Sequence, residues 1–175
     1  DVSLPVTFHV STGRDPRAAR GNGGAVINYV SHSLSPTIEP VANLCASGVF
    51  ERFPRLRVAT IEAGIGWVPW FLGAMDEAYR KHHFWVRPKL KRLPSEYYRD
   101  HCWASFQEDP AGLALAEPMG LADRFMWGND YPHYEGTYPH SRKAIRHALH
   151  DKPEAEVRAI LGENAARLYG FDLEA

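Results

Sequence analysis

Four short apolar runs in this chain each stop at residues that can bind a metal ion or move a proton. His9 stands next to last in LPVTFHV, Glu62 follows LRVATI, Gln107 and Glu108 follow HCWASF, and Asp130 follows DRFMWGN. His133 lies three residues beyond Asp130, in WGNDYPH. A neutral imidazole such as His9 suits a divalent transition metal when a carbonyl or carboxylate holds its other ring nitrogen. A carboxylate such as Asp130 can ligate the same ion and accept a proton from the water it activates. Glu62 ends so apolar a run that it needs a partner, whether a metal, a hydrogen-bond donor or a structural arginine. His133 could orient a substrate, shuttle a proton or cap the next helix. Plainer readings stand beside these: His9 as a hydrogen-bonded structural histidine, and Asp130 as the carboxylate of an Asx-turn, which NDYP favours.

The elements that must position these residues alternate. Strand-like segments cover about 4–10, 56–62, 101–107 and 123–128. The polar, glycine-rich stretch 11–24 reads as a loop. Apolar spacing predicts helices over 25–34 and 37–52, with Pro36 and Pro40 near the start of the second, where a missing N–H is tolerated. A further helix is expected from Val68 to about His83, then a basic, proline-punctuated connection from Phe84 to Arg99. A short helix follows Pro110, and others fall near 140–150, 153–161 and 163–169. Strands separated by helices predict a parallel α/β sheet, whose chemistry is built at the C-terminal ends of the strands. His9, Glu62, Gln107–Glu108 and Asp130 all stand at such ends.

The totals narrow the function classes. The 175 residues suffice for one domain, and 45% hydrophobic with 23% charged residues matches an ordinary globular protein. A formal charge of -1 gives no whole-chain reason to expect nucleic acid or an anionic membrane. No apolar run approaches the roughly 20 residues of a membrane span, and the first residues lack a secretory signal. A cytoplasmic location is expected, with Cys45 and Cys102 as buried free thiols. The basic, aromatic stretch 79–92 reads as a solvated face or subunit contact. Adjacent His82 and His83 point apart on a helix and make no metal pair. GNGG at 21–24 lacks the Lys-Ser/Thr of a phosphate loop. Neither Ser105 nor either cysteine has a nucleophile's setting, and His101 and Cys102 are expected on opposite faces of a strand.

Taken in order, PVTFHVSTG, FPRLRVATIEAGIGWVPW, WGNDYPHYEGT and GENAARLYGF resemble the C-terminal half of an amidohydrolase-related, metal-dependent hydrolase. That family belongs to the TIM-barrel amidohydrolase superfamily, in the branch that includes aminocarboxymuconate-semialdehyde decarboxylase and the resorcylate-type decarboxylases. The resemblance runs from Pro5 to Phe171 and is most specific in WG-x-DYPH and NAARLYGF. It implies an α/β fold: four parallel strands with intervening helices, forming one half of a (β/α)8 barrel across residues 1–175.

The resemblance also implies roles. His9 matches the metal-binding histidine after the fifth barrel strand. Asp130 matches the aspartate after the eighth, a metal ligand and acid/base, and His133 joins it as a catalytic candidate. Many relatives carry a histidine where this chain has Glu62, so Glu62 is expected to bind substrate or metal. The family's first strand supplies an H-x-H ligand pair, and this chain contains none. A catalytic zinc takes three protein ligands and a barrel about 250 residues, so a further half-barrel or second subunit is expected to complete the site. A start at Asp1 fits a fragment, a processed chain or a natural half-barrel.

The function expected is hydrolysis of a small carboxylated or cyclic organic substrate by water activated on one divalent metal, zinc by preference, with Mn2+ or Fe2+ as alternatives. Non-oxidative decarboxylation on the same site is the second expectation. A non-catalytic half-barrel used for assembly or small-molecule binding is the third. A homo-oligomer is expected, with neither nucleic acid nor membrane as partner.

Overall fold

The computed structural model describes residues 4–12, 18–82 and 89–173. His83 and residues 84–88 of the basic stretch fall outside them. The four expected strands are present as β1 (Val6–His9), β2 (Val58–Ile61), β3 (Cys102–Phe106) and β4 (Phe125–Trp127). They form one parallel sheet in the order β1-β2-β3-β4. His9 pairs with Ile61, Thr60 with Ala104, and Phe106 with Trp127, which brings the strand ends to one rim. Parallel neighbours need a crossover, and helices provide each one. α1 (Gly24–Ile27), α2 (Ser35–Ala46) and α3 (Val49–Arg52) join β1 to β2. α4 (Trp67–Lys81) and α5 (Pro94–His101) join β2 to β3, and α6 (Pro110–Ala116) joins β3 to β4. α7 (Ser141–Leu149), α8 (Glu154–Arg158) and α9 (Asn164–Tyr169) complete the chain.

Strand alternation divides the sheet into two faces. Val58, Cys102, Ala104, Phe106 and Phe125 pack with Val41 and Cys45 of α2 and with Val68, Phe71 and Leu72 of α4 in the larger core. Ala59, Trp103 and Met126 form a smaller core on the other face with Leu168 of α9. Asn164 explains part of the NAARLYGF block: fully buried, its amide donates to the Ala122 and Phe125 carbonyls at 2.8 Å each, tying α9 to the start of β4. The two cysteines are free and buried, as expected, and burial raises the Cys102 thiol well above its ordinary value. No helix among the described residues is long and apolar enough to cross a membrane.

Several expectations change. The helix over 37–52 is two helices, divided at Gly48, whose φ of 73° leaves the helical region. Pro40 lies inside α2 rather than at its start, and Pro36 occupies the first turn. The expected helix over 25–34 opens after Ile27 into a wider turn, Asn28–His32, closed by Ser33 N–H on the Asn28 carbonyl. The end of the expected connection 84–99 is helical. Pro94 starts α5, the Glu96 carboxylate accepts from Leu93 N–H at 2.8 Å, and Asp76 accepts from Ser95 N–H. Proline one residue inside a helix and glutamate at its third position are start signals, not breaks. His101 therefore ends α5 instead of sitting in a strand. Its ring stacks on Phe50 at 4.4 Å, and Nδ1 meets the Leu56 carbonyl at 2.9 Å.

Tyr97 of α5 donates its hydroxyl to the Glu51 carboxylate of α3. Burial, then the Glu51 carboxylate, pushes this phenol up to about 12 from an ordinary 10.0. The folded chain thus keeps a proton that the unfolded chain begins to lose at pH 10, so the contribution is intact below that pH and is lost as pH rises through 12. Urea unfolding at stepped pH should show wild-type stability falling across this window more steeply than that of Tyr97→Phe. Parallel slopes would contradict the assignment.

Candidate active site

Each strand end delivers its polar residue by a different local device. His9 is the last residue of β1, and its Nδ1–H on the Val10 carbonyl, at 2.9 Å, aims Nε2 at Glu62 Oε2, 2.7 Å away. A carbonyl on Nδ1 orients the ring so that Nε2, the nitrogen in contact with Glu62, is the one a cation could take in place of that contact. Glu62, the first residue after β2, has φ of 61°, and its N–H donates to Ser105 Oγ at 2.9 Å. The left-handed backbone breaks the strand alternation and turns a side chain that strand geometry would send outward toward the His9 side of the rim. Asp130 has φ of 58°. Two acidic residues held in a region costly to residues with a Cβ mark a rim whose backbone is shaped for its side chains.

The loop after β4 folds on itself. Thr137 N–H donates to the Asn129 carbonyl at 3.0 Å and His133 N–H to the Asp130 carbonyl at 2.9 Å. A Cβ on Gly136 would lie 2.5 Å from the Asn129 carbonyl oxygen, so only glycine allows this closure. The Asx-turn expected in NDYP belongs to Asn129, whose Oδ1 accepts from Tyr131 N–H at 3.2 Å. The Asp130 carboxylate is left free for the rim: Oδ1 is 2.9 Å from His133 Nδ1, and Oδ2 is buried with no hydrogen-bond partner among the described residues.

Glu62, Asp130, His133 and Glu135 converge, with donor atoms within 4.8 Å of one another, and His9 abuts the group through Glu62. His133 Nδ1 lies 3.8 Å from Glu62 Oε2. Burial, then the neighbouring Asp130 carboxyl, holds Glu62 above its ordinary value, while His9 pulls the other way. The bond to Asp130 and the charges of Asp130, Glu62 and Glu135 raise His133. Excess carboxylate, two imidazoles and an orphaned Asp130 Oδ2 form a donor set that fits a divalent cation.

The end of β3 behaves differently. The Gln107 carbonyl accepts from Trp127 Nε1 at 3.0 Å. Glu108 lines an outer cavity of about 420 Å³ with α6 and the end of α7, away from the four-residue group. The β3 residue at the rim is Ser105, through its hydroxyl on the Glu62 backbone. Sequence reasoning missed this support, as it missed Glu135, whose only signal is its place two residues after His133.

Glu62→Gly and Glu62→Ala remove the same carboxylate and differ in their tolerance of φ 61°. Glu62→Gly should be the more stable by about 1 kcal/mol in urea unfolding. An advantage for Glu62→Ala would remove the backbone strain.

The Amidohydrolase family model matches residues 1–171. Among solved structures, 5-carboxyvanillate decarboxylase from Sphingomonas paucimobilis superposes with a TM-score of 0.72 at 26% identity, covering 97% of this chain and 50% of that one. An amidohydrolase from Mycobacterium avium subsp. paratuberculosis gives 0.74 at 23% identity, with 99% and 43% covered. A dihydroxybenzoic acid decarboxylase from Polaromonas sp., with bound manganese and 2-nitroresorcinol, gives 0.67 at 20% identity, with 99% and 51% covered. The chain thus spans about half the length of the structures it resembles, and its four parallel strands are half of an eight-stranded barrel. On the family match across nearly its whole length, the chain belongs to the amidohydrolase family.

Proposed function

We propose that this chain supplies the rim residues of a divalent-metal-dependent carboxy-lyase acting on a small carboxylated ring compound. One observation carries the reading: Asp130, whose Oδ2 is buried with no hydrogen-bond partner among the described residues, belongs to a group of carboxylates and an imidazole at the ends of parallel strands. An orphaned carboxylate oxygen is costly to bury, and a cation offsets that cost. The decarboxylases among the structural neighbours support the reaction class, and the manganese in one of them supports a hard divalent ion as readily as zinc.

His9 Nε2, Glu62 Oε2 and Asp130 Oδ2 would hold the ion, with Glu135 within reach. When bound, the ion supplies Lewis acidity toward the substrate's oxygens. Asp130 divides its work between two oxygens. Oδ2 would hold the ion, and Oδ1, bonded to His133 Nδ1, would hold and move the proton. In decarboxylation the carbon–carboxyl bond breaks, its electron pair stays on the ring carbon, and the proton from Asp130 replaces carbon dioxide there. His133 then restores the proton to Oδ1.

Hydrolysis is the second reading. Its support is the family model, whose description is amidohydrolase, and a structural neighbour of the same description. In either case a further half-barrel, in the same polypeptide or another subunit, pairs with β1 and β4.

Turnover by the full-length enzyme on hydroxybenzoate-type acids and on lactones or esters, with carbon dioxide release and hydrolytic products followed separately, tests the assignment. Carbon dioxide release is the result expected. Asp130→Asn should lower kcat about 100-fold or more. Near-stoichiometric Mn2+ or Zn2+ should survive dialysis of the wild type and be lost from the variant. Hydrolytic products alone would select the second reading, and a metal-free, inactive full-length protein would remove both.

A further inference from the structure

Asp109 takes no part in the group at the rim, yet it is the most heavily bonded carboxylate beside it. Its Oδ1 accepts from Gly112 N–H at 2.9 Å, the ordinary N-cap of α6. Its Oδ2 accepts two more N–H groups from another part of the chain, Ile65 at 2.7 Å and Gly66 at 2.6 Å. Capping α6 does not require those two bonds. They draw the loop after β2 against the first turn of α6, and that loop begins three residues earlier, at Glu62.

Three glycines make the approach close enough. A Cβ on Gly66 would stand 2.9 Å from Asp109 Oδ1, and one on Gly64 3.0 Å from Oδ2, at a residue whose φ is already +67°. A Cβ on Gly112 would meet Ile65 Cγ1 at 2.5 Å and Gly66 N at 2.9 Å. Trp67 Nε1 adds a bond to the Gly64 carbonyl at 3.0 Å. The spacing E-A-G-I-G against D-P-A-G is thus a clamp between two loops.

Glu62 depends on such a clamp. Its φ of 61° is costly and persists only where the surroundings over-determine it. Ser105 Oγ holds its N–H on one side, and Asp109 holds residues 65 and 66 on the other. Bonds from an ionised carboxylate to backbone N–H groups are among the stronger neutral-donor bonds available for this. We propose that Asp109 is a positioning residue, which acts through the 64–66 loop to fix the Glu62 carboxylate against His9 and Asp130. The proposal rests on the reading of Glu62 as a group that faces the metal.

Asp109→Ser separates the two halves of the clamp. Serine is a good N-cap and keeps the bond to Gly112, but it is too short to reach Ile65 and Gly66. Mn2+ dissociation constants of the full-length enzyme, measured by electron paramagnetic resonance, are to be compared for wild type, Asp109→Ser, Glu62→Gln and the double variant, with thermal midpoints and kcat and KM alongside. Asp109→Ser should remain folded, weaken Mn2+ about 10-fold and lower kcat more than it raises KM. In the Glu62→Gln background the same substitution should leave Mn2+ affinity unchanged, because its route to the ion is already gone. Asp109→Asn keeps an acceptor for the loop and should recover part of the affinity; it also serves as the test variant if Asp109→Ser does not fold. Wild-type Mn2+ affinity in both Asp109 variants, or an equal loss in the Glu62→Gln background, overturns the proposal. Glu62→Gln with wild-type affinity and turnover overturns the reading of Glu62 first, and the proposal with it.

Discussion

Two carboxyl groups of like charge, Glu62 and Asp130, are kept together at the rim of one sheet. Left to themselves they would turn apart into water. Both sit on backbone forced into the left-handed region, both are largely shielded, and Asp130 has an oxygen with no hydrogen-bond partner among the described residues. Much of the surrounding architecture restrains this pair. Ser105 holds the Glu62 backbone, Asp109 clamps the loop behind it, and Gly136 lets the chain fold tightly under Asp130. The parallel register brings the strand ends level, so restraints on separate loops act at one place.

These restraints are cheap because each uses backbone already present. The Asp109 carboxylate caps a helix and ties a loop with one side chain. The Val10 carbonyl orients the His9 ring without a second acidic residue. A site built this way leaves the Glu62 and Asp130 carboxylates at the rim and gives positioning to amides, a hydroxyl and the absence of Cβ atoms. Stability is given up locally at the strained positions and recovered in the outer core, where Val58, Ala104 and Phe125 are fully buried.

Much of this was legible in the sequence. The apolar runs placed four strands within a few residues, and the residues that ended them, His9, Glu62 and Asp130, do meet at one rim. Legibility failed where one signal had two meanings. Pro94 reads as punctuation, yet with Glu96 it opens a helix. Gln107 and Glu108 stand at the right end of a strand, but the Gln107 carbonyl accepts from Trp127 and Glu108 lines an outer cavity. Ser105 and Asp109 were invisible because their roles are bonds to backbone 43 or 44 residues away, which no local pattern encodes. Asn129 and Asp130 show a finer limit. Composition predicted an Asx-turn in NDYP but could not say which side chain would be spent on it.

The strands with a neighbour on only one side are β1 and β4, and these are the strands that end at His9 and Asp130. Left uncovered, such a margin frays first, while β2 and β3, paired on both sides, stay anchored in the core. A breath at either margin would then part His9 from Asp130 long before the molecule melted. Amide exchange at Phe8 and Met126 would register such openings. Whatever strand docks along these margins quiets the chemistry from the outside, by slowing the edges rather than by touching the site.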